Sequence, residues 1–490
     1  MKVTQKRWPS TRDAYAVRKI CNGLVFGPID KNNGEFSMVC PHLYEQALQN
    51  IYCEETGYNE VFIKKMTPYQ VKKLGKEKCH EYVLQDKKPP QRQIGDFHDV
   101  MKTWKSFYKS NGLDRFGKFQ TNKDFNVPYI LFKAKNITEM ERRIETWKKV
   151  RPIAPGTKHP MNILLGKVGK AWHFVCDKQY TEGFDKPAVH EIPKYMDEAF
   201  GKLDNPNGVV TEIFDIEGCF PNMPQEGILL AMNSIVSHFK KDNRKGVWVP
   251  FGSRAKCSWD KPKRGYGTWI PWDTMLLITE FSLKNTFLRM PDGRILKQGN
   301  GIPMGNPLSP GITIGTCSWM EKEWLQIVPV TYKDNFKAAR YMDDILLIRK
   351  AQDSWDKELF EKECYWPPLK LEAAQQDTFL ETKFMIDDKG LKYWLKNDNE
   401  EMMKVWRYHH FYSDINATQR QRTLIAVLRK VHKMCSGGKM LYWSAVAKLK
   451  EFIRLKYPLK VCKMACAILA RETGSIVWMS VRRFLFQLYN

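Results

Sequence analysis

Three aspartates stand where strand-like segments end, and their carboxylates could hold divalent metal ions. Asp215 follows the β-branched run 209–213, while Asp343 and Asp344 precede the apolar run 345–348. Carboxylate oxygens suit magnesium, which keeps several waters and binds one or two protein carboxylates directly. Two such ions about 4 Å apart promote in-line displacement at phosphorus. An isolated Asp-Asp turn is more often a solvated loop, so the surrounding sequence must decide.

The segments around these acids have the patterns of a strand and a hairpin. Residues 209–213 predict a buried strand that carries Asp215 at its tip. Residues 338–348 fit a β-hairpin whose turn presents Asp343 and Asp344. Acids from two neighbouring strands would then converge on one metal site.

The charge of the chain points to a polyanionic partner. Its 490 residues include 79 lysines and arginines against 54 aspartates and glutamates, a formal charge of +25. Such an excess binds phosphate backbones through counterion release, with an affinity that falls steeply as salt rises. Aromatic residues interleaved with the basic ones could stack on bases, although most large aromatics belong to cores. We therefore expect nucleic acid, with anionic membranes as the weaker alternative.

Four sequence blocks, in the expected order, resemble those of reverse transcriptases. Residues 151–153 (Arg-Pro-Ile) resemble the fingers block, and residues 214–220 (Phe-Asp-Ile-Glu-Gly-Cys-Phe) the first catalytic block. Residues 298–310 (Gln-Gly-Asn-Gly-Ile-Pro-Met-Gly-Asn-Pro-Leu-Ser-Pro) resemble the block beneath the template base and incoming nucleotide. Residues 341–344 (Tyr-Met-Asp-Asp) complete the series. Four such blocks in order are improbable by chance.

The resemblance implies a role for each matched residue. Asp215, Asp343 and Asp344 would be catalytic, and together with Ile216 they would hold two Mg²⁺ ions, with Mn²⁺ as an alternative. Arg151 would bind the triphosphate in bidentate fashion, which a lysine could not copy. The ring of Phe220, five residues after Asp215, would exclude a ribose 2′-hydroxyl. The remaining substrate contacts are expected at Pro303, Met304, Gly305, Tyr341 and Met342.

Within that family the sequence is most similar to Penelope-like retroelements, a lineage related to telomerase. Residues 340–344 (Arg-Tyr-Met-Asp-Asp) are similar to the lineage's Arg-Tyr-Val-Asp-Asp, and residues 378–382 (Thr-Phe-Leu-Glu-Thr) to its Phe-Leu-Asp block. Residues 406–413 resemble the start of its thumb, and the likeness covers residues 125–440. The Gly-Ile-Tyr and Tyr-Ile-Gly pair of the endonuclease carried by many members is absent, so we expect no such domain.

The implied fold is α+β, a right-hand polymerase with fingers, a palm containing an antiparallel sheet, and a helical thumb. We expect a basic helical N-terminal extension at 1–120, fingers at 121–205, a palm at 206–410 with an insertion at 225–297, and a thumb at 411–490. Apolar residues recur at helical spacing from Leu424 onward. The basic residues Arg429, Lys430 and Lys433 take another face, and we expect them to bind the template–primer duplex.

The expected activity is RNA-directed DNA synthesis from a primer 3′-hydroxyl. Its partners would be an RNA template, a DNA or RNA primer and deoxynucleoside triphosphates. Two alternatives stay open: an RNA-directed RNA polymerase, or a maturase-like or domesticated RNA-binding factor that keeps the fold. RNA polymerases of that kind usually place glycine before the paired aspartates and lack the aromatic at the position of Phe220.

Location and cysteine chemistry follow from simpler counts. No run of eighteen apolar residues and no signal-peptide pattern is present, so we expect an intracellular protein, nuclear in a eukaryote, with no membrane partner. Twelve scattered cysteines predict reduced, buried thiols. A zinc site is the alternative for one cluster, whose spacing matches no compact zinc knuckle. Its members are Cys40, His42, Cys53, Cys79 and His80.

Overall fold

The structure is a computed structural model of mixed helix and sheet. It describes residues 11–30, 32–55, 58–60, 62–63, 84–85, 97–133, 150–202, 208–252, 255–262, 265–351, 357–374, 377–387, 390–397, 399, 407–413 and 415–489. Most of residues 64–96, within the expected helical extension, lie outside these ranges.

Fifteen α-helices can be named in the described ranges. They are α1 (Thr11–Ile20), α2 (Pro41–Gln49), α3 (Phe97–Ser110), α4 (Asn162–His173), α5 (Ile192–Lys202), α6 (Cys219–Asn222), α7 (Gln225–Lys241), α8 (Trp272–Lys284), α9 (Ser309–Ile327), α10 (Val330–Asn335), α11 (Lys357–Glu363), α12 (Ala417–Lys433), α13 (Gly437–Arg454), α14 (Leu459–Thr473) and α15 (Val477–Tyr489). Short π-helical turns extend α2 (Asn50–Glu55) and α4 (Phe174–Gln179).

The same ranges contain eighteen strands. They are β1 (Val25–Asp30), β2 (Asn32–Val39), β3 (Tyr58–Glu60), β4 (Phe62–Ile63), β5 (Leu84–Gln85), β6 (Tyr129–Lys133), β7 (Val150–Ile153), β8 (Val209–Ile216), β9 (Gly246–Pro250), β10 (Gly267–Pro271), β11 (Phe287–Arg289), β12 (Ile295–Gln298), β13 (Phe336–Tyr341), β14 (Asp344–Lys350), β15 (Leu371–Ala373), β16 (Thr378–Phe379), β17 (Thr382–Asp387) and β18 (Gly390–Leu395).

A four-stranded antiparallel sheet, ordered β13-β14-β8-β15, occupies the centre. One face buries Phe214 and Leu347 in the largest hydrophobic cluster, which includes residues of α4, α7, α8 and α9. The other face buries Ile213 and Leu346 against α5 and the sheet β16-β17-β18. Because both faces are covered, β14 needs the unbroken apolar run Ile-Leu-Leu-Ile at 345–348. The predicted strand and hairpin are confirmed.

The N-terminal region 1–120, expected to be helical, contains strands as well as the helices α1, α2 and α3 in the part that the structure describes. Strands β1 and β2 form a sheet ordered β2-β1-β6-β7, so residues 25–39 share a sheet with the strand of Arg151. Strand β3 pairs with β12, and Tyr58 donates to Gln298 Oε1 at 3.1 Å. The polar residues of 30–35 hid the local β1–β2 hairpin, and the other partners, β6 for β1 and β12 for β3, lie about a hundred or more positions further along the chain.

Residues 225–297 contribute to the core. Helices α7 and α8 bury residues such as Ile228, Met232 and Ile278 in the same large cluster as α9. The segment also supplies the antiparallel hairpin β9–β10, which pairs Pro250 with Gly267. The expected insertion is therefore packed against the central structure along most of its length.

The C-terminal helices α12–α15 enclose a second core. Leu424, Leu428, Val431 and Met434 are all fully buried there, as their helical spacing predicted. No helix within the described ranges is both long and apolar enough to cross a bilayer.

The cysteine expectation is only partly met. Several thiols, such as Cys176 and Cys317, are buried, but Cys40 and Cys53 are exposed. Cys79 and His80 lie outside the described residues. In the ranges that the structure covers, no three His, Cys, Asp or Glu residues are grouped closely enough to hold a metal ion. The zinc hypothesis gains no support.

Glycine spacing on α4 provides a matched test of this packing. A Cβ on Gly169 would lie 2.2 Å from Pro307 O, whereas a Cβ on Gly166 would meet nothing within 4 Å. We expect Gly169→Ala to lower the free energy of unfolding by about 1–3 kcal/mol through overpacking. Gly166→Ala should be neutral or stabilise by up to about 1 kcal/mol. Urea unfolding measures both, and equal effects would contradict the close approach of α4 to residue 307.

Candidate active site

The three predicted aspartates meet at one end of the central sheet. Asp344 lies directly opposite Asp215 in the β14–β8 ladder, and Ile216 N donates to Asp343 O at 2.9 Å. In an antiparallel ladder, hydrogen-bonded and non-hydrogen-bonded residue pairs alternate. Ile216 and Asp343 are a hydrogen-bonded pair, so the adjacent pair of Asp215 and Asp344 is non-hydrogen-bonded. The Cα atoms of such a pair are about 4.5 Å apart, and the two side chains lie on the same face of the sheet. All three aspartates are half-buried.

A two-residue turn joins β13 to β14 beside this pair. Met342 and Asp343 form the turn, and Met342 has a φ of 59°. Left-handed backbone at a residue with a Cβ costs about 1–2 kcal/mol, so surrounding contacts must hold the turn in place. Tyr341 pairs with Asp344 and therefore shares its face of the sheet.

A fourth acid lies in the same row, and the sequence did not single it out. Glu372 in β15 is directly opposite Asp215 on the side away from Asp344. Tyr341, Asp344, Asp215 and Glu372 thus form one line across four strands. Only the order of strands in the sheet could have revealed Glu372, because nothing in its local sequence marks it.

The donor set of this row fits a hard divalent cation. Like charges directly opposite in a sheet repel, and a cation between Asp215 and Asp344 would relieve that repulsion. The carboxylates are not already gathered into a metal-binding group within the described ranges. Their side chains would therefore have to turn toward an incoming ion.

Backbone hydrogen bonds connect Phe220 to the loop that contains Pro303, Met304 and Gly305. Ile302 N donates to Phe220 O at 2.8 Å. Gly301 has a φ of 68°, and a Cβ there would lie 2.2 Å from Pro221 O. Only glycine permits this approach. The half-buried Phe220 therefore lies beside the predicted nucleotide loop.

The strand of Arg151 joins the other side of that loop. Ala154 N donates to Met304 O at 2.7 Å, and Gly156 N donates to Gly305 O at 3.2 Å. Arg151 itself is half-buried, with Nε 3.0 Å from Asp30 Oδ1. An incoming triphosphate would compete with Asp30 for this guanidinium. The fingers, loop and carboxylate blocks predicted from sequence are thus joined by main-chain contacts.

Arg340, immediately before the carboxylate hairpin, is a fully buried cation. Its guanidinium pairs with Glu321 of α9, lies 3.2 Å from Asp185 and donates to Ser318 Oγ at 2.9 Å. It also donates to Met342 O at 3.0 Å, so this network holds the left-handed turn directly.

The partners of Arg340 are themselves fixed. Phe184 N and Tyr365 OH donate to Glu321 at 2.6 and 2.7 Å. Burial alone would lower the pKa of Arg340, but Glu321 and Asp185 hold it well above its usual value. Burial raises the pKa of Asp185 to about 6, against the opposing effect of Arg340. Both Arg340 Nε and Nη2 donate to Glu321, whereas only Nη1 donates to Asp185.

The three predicted nucleic-acid contacts on α12 are largely engaged within the protein. Arg429 donates to both carboxylate oxygens of Glu472 at 2.8 and 2.6 Å, and Lys430 pairs with Glu381. Lys433 is exposed. Exposed ion pairs are worth only about 0–1 kcal/mol, so a phosphate could displace them. The three basic residues all belong to α12 as expected, but Arg429 and Lys430 already have acidic partners within the protein.

Comparison with known proteins adds evidence on the fold. No protein-family model matches the chain, and no curated protein matches its sequence. A telomerase from Candida albicans, solved in complex with a TWJ fragment of telomeric RNA, is similar in structure. The alignment has a TM-score of 0.54 at 10% identity and covers 98% of this chain and 74% of that one. The chain shares its fold with a telomerase.

Two further similar structures align less well. Apo telomerase from Candida tropicalis gives a TM-score of 0.49 at 10% identity, covering 93% of this chain and 68% of that one. Sicinivirus 3Dpol RNA dependent RNA polymerase gives 0.38 at 10% identity, covering 98% and 92%. At these identities the likeness to the first telomerase shows the fold, and the activity must be argued from the site.

The buried network around Arg340 should dominate the stability of the site. We expect Arg340→Met to lower the free energy of unfolding by about 3–5 kcal/mol, because it leaves the Glu321 carboxylate buried and unpaired. Arg349→Met in β14, which breaks the more exposed pair with Glu212 of the neighbouring strand β8, should cost about 1 kcal/mol. Urea unfolding gives both values.

A double variant tests the cause of the loss. Arg340→Met combined with Glu321→Gln removes the unpaired charge and should be more stable than Arg340→Met alone. A double variant that is less stable than the single one would contradict the charge argument.

Proposed function

We propose that the chain is an RNA-directed DNA polymerase that extends a primer 3′-hydroxyl. The proposal rests on one observation. Asp215 and Asp344 lie directly opposite each other on neighbouring strands, beside the turn that contains Asp343. Two carboxylates directly opposite each other repel, and a cation bound between them would reverse the sign of that interaction. Nucleotidyl transfer needs divalent cations at such a place.

Each remaining residue has a defined task in this proposal. Asp215, Ile216, Asp343 and Asp344 would hold two Mg²⁺ ions, which when bound activate the primer hydroxyl and stabilise the leaving oxygens. Arg151 would exchange Asp30 for the triphosphate, and its planar fork suits phosphate oxygens. The remaining contacts would come from the strand, turn and loop residues, namely Tyr341, Met342, Pro303, Met304 and Gly305.

The ring of Phe220 would select the sugar. Its carbonyl accepts a hydrogen bond from Ile302 N, and its side chain packs partly against the main core, which supports a fixed ring beside the nucleotide loop. A fixed ring under the sugar leaves no space for a 2′-hydroxyl. This supports deoxynucleotides as substrates over ribonucleotides.

Nucleic-acid binding would rest on the positive charge of the chain. A formal charge of +25 supports an RNA template and a DNA or RNA primer as partners. We place the duplex against α12, where phosphates would take Lys433 and displace Glu472 and Glu381 from Arg429 and Lys430. Fingers, palm and thumb would then be formed by the 121–205, 206–410 and 411–490 regions.

The finer assignments rest on sequence resemblance. We propose the Penelope-like lineage from the Arg-Tyr-Met-Asp-Asp block at 340–344, and a nuclear location if the source is eukaryotic. An RNA-directed RNA polymerase is the second candidate, because it could use the same opposed acids to hold its metal ions. A binding-only factor would not need the opposed pair of Asp215 and Asp344.

Removal of a carboxylate should separate catalysis from binding. Asp343→Asn and Asp215→Asn are expected to reduce primer extension to background while leaving RNA affinity within about twofold, because phosphate contacts supply the affinity. Asp242→Asn, an exposed acid at the end of α7, should change neither quantity. Primer extension on RNA and DNA templates, with filter binding in parallel, provides the measurement. Near-normal extension by either site variant would exclude these acids.

Removal of the ring should relax sugar selection. We expect Phe220→Ala to lower the preference for deoxynucleotides over ribonucleotides by about tenfold or more, since the cavity admits a 2′-hydroxyl. Phe220→Tyr keeps a ring and should keep the preference. Single-nucleotide incorporation kinetics with each substrate decide the matter. Unchanged selection in the alanine variant would show that Phe220 does not contact the sugar.

A further inference from the structure

The β9–β10 hairpin carries two exposed aromatic rings that the proposed reaction does not use. Phe251 is 60% exposed and Tyr266 is 86% exposed. Phe251 N donates to Tyr266 O at 3.0 Å, so the two residues extend the ladder one step beyond the Pro250–Gly267 pair. Large rings are rarely left in water without a reason when they occur side by side.

The register places both rings on one face. Opposed residues share a face, and their Cβ atoms lie about 5 Å apart. The same face buries Val247 and Val249 in the large core, because alternate residues of a strand point the same way. Phe251 and Tyr266 therefore continue the inward face past the edge of the core, where nothing in the described structure covers most of their surface.

The segment that carries these rings is rich in lysine. Lys167 Nζ lies 4.9 Å from the centre of the Phe251 ring, while Lys261 Nζ lies 5.6 Å from that of Trp248, which points to the other face of the strand. Lys245 and Lys256 are exposed nearby in the sequence. The single acid between residues 244 and 271 is Asp260, which is 3.5 Å from Arg244. The surface is therefore both aromatic and positive.

The exposed rings lie outside the segments that carry the proposed reaction. Neither Phe251 nor Tyr266 belongs to the carboxylate blocks, the strand of Arg151 or the nucleotide loop 298–310. Helix α7 runs for about 25 Å from Gln225, whose Nε2 donates to Gly301 O at 3.0 Å, to Lys241 just before β9. The two rings lie at the end of β9 opposite to this helix.

We propose that Phe251 and Tyr266 form a stacking platform for single-stranded nucleic acid. Successive bases stack on aromatic rings without regard to sequence, while neighbouring lysines bind the phosphates. A cation over a ring adds to the attraction. The platform would hold a strand that enters or leaves the catalytic centre, and the inference adds a second binding site to the proposed polymerase.

The chemistry of the hairpin favours nucleic acid over a lipid surface. Residues 251–266 contain no Leu, Ile, Val or Met. A membrane-inserting tip buries aliphatic side chains below the headgroups, and this segment has none to bury. Single-stranded nucleic acid offers bases that can stack on the two rings and phosphates that can pair with the neighbouring lysines.

The test compares two lengths of single-stranded overhang on one primer–template duplex. An overhang of about 4 nucleotides stays within the catalytic centre, and one of about 16 can reach the platform. We expect the double variant Phe251→Ala with Tyr266→Ala to lose about tenfold or more in affinity for the long overhang only. Fluorescence anisotropy measures both, with RNA and DNA overhangs to distinguish template from product strand.

A matched control removes a comparable ring elsewhere. Phe486 on α15 is 55% exposed and lies beneath Lys463, so Phe486→Ala deletes an exposed ring under a lysine. It should leave the affinity for both overhangs unchanged. An unchanged affinity of the double variant for the long overhang overturns the platform, as does an equal loss for both lengths.

A catalytically inactive background keeps this inference separate from the proposed reaction. In Asp343→Asn the advantage of the long overhang should persist, because binding at the hairpin does not need the carboxylates. Loss of that advantage in Asp343→Asn would overturn the platform as a separate site. Failure of primer extension by the parent protein would overturn the polymerase proposal alone.

Discussion

The buried guanidinium of Arg340 is the interaction on which the geometry of the candidate site depends. A charge without solvent must be paired, and Glu321 of α9 supplies the nearest countercharge. The same guanidinium holds Met342 O, so the turn that carries Asp343 is tied to α9. Helix α9 begins at Ser309, whose Oγ donates to Pro303 O at 2.7 Å. One helix therefore positions both the carboxylate hairpin and the loop expected to contact the nucleotide.

Local sequence patterns predicted the strands and the turn that carry the three aspartates. They could not predict which residues lie opposite each other on neighbouring strands, because that depends on the strand order and register of the folded sheet. The apolar run at 345–348 and the acids beside it predicted the hairpin, because the signal lies within a dozen residues. Glu372 was missed, since its place opposite Asp215 depends on which strand pairs with β8. The N-terminal strands were missed for the same reason. The partners of Arg340 come from three separate segments, and no single-sequence pattern reports them.

The helix α12 shows the same limit for charges. Its apolar face was predicted correctly because burial follows the helical period. Its basic face was assigned to a duplex, yet Arg429 and Lys430 have the acidic partners Glu472 and Glu381. A sequence shows that a face is positive but not which acids fold against it. A duplex that binds there would exchange one set of counterions for another, which weakens the salt dependence expected of three free cations.

The opposed aspartates give a physical reason to prefer catalysis over binding alone. Like charges directly opposite cost up to about 1 kcal/mol. Burial of one side chain from the run 345–348 contributes about 1.5–3 kcal/mol, so the sheet tolerates this cost easily. A protein that used only its surface has no need to keep Asp215 directly opposite Asp344. The structure keeps both half-buried acids opposed at the end of β8 and the start of β14, which is the arrangement expected when function is favoured over stability.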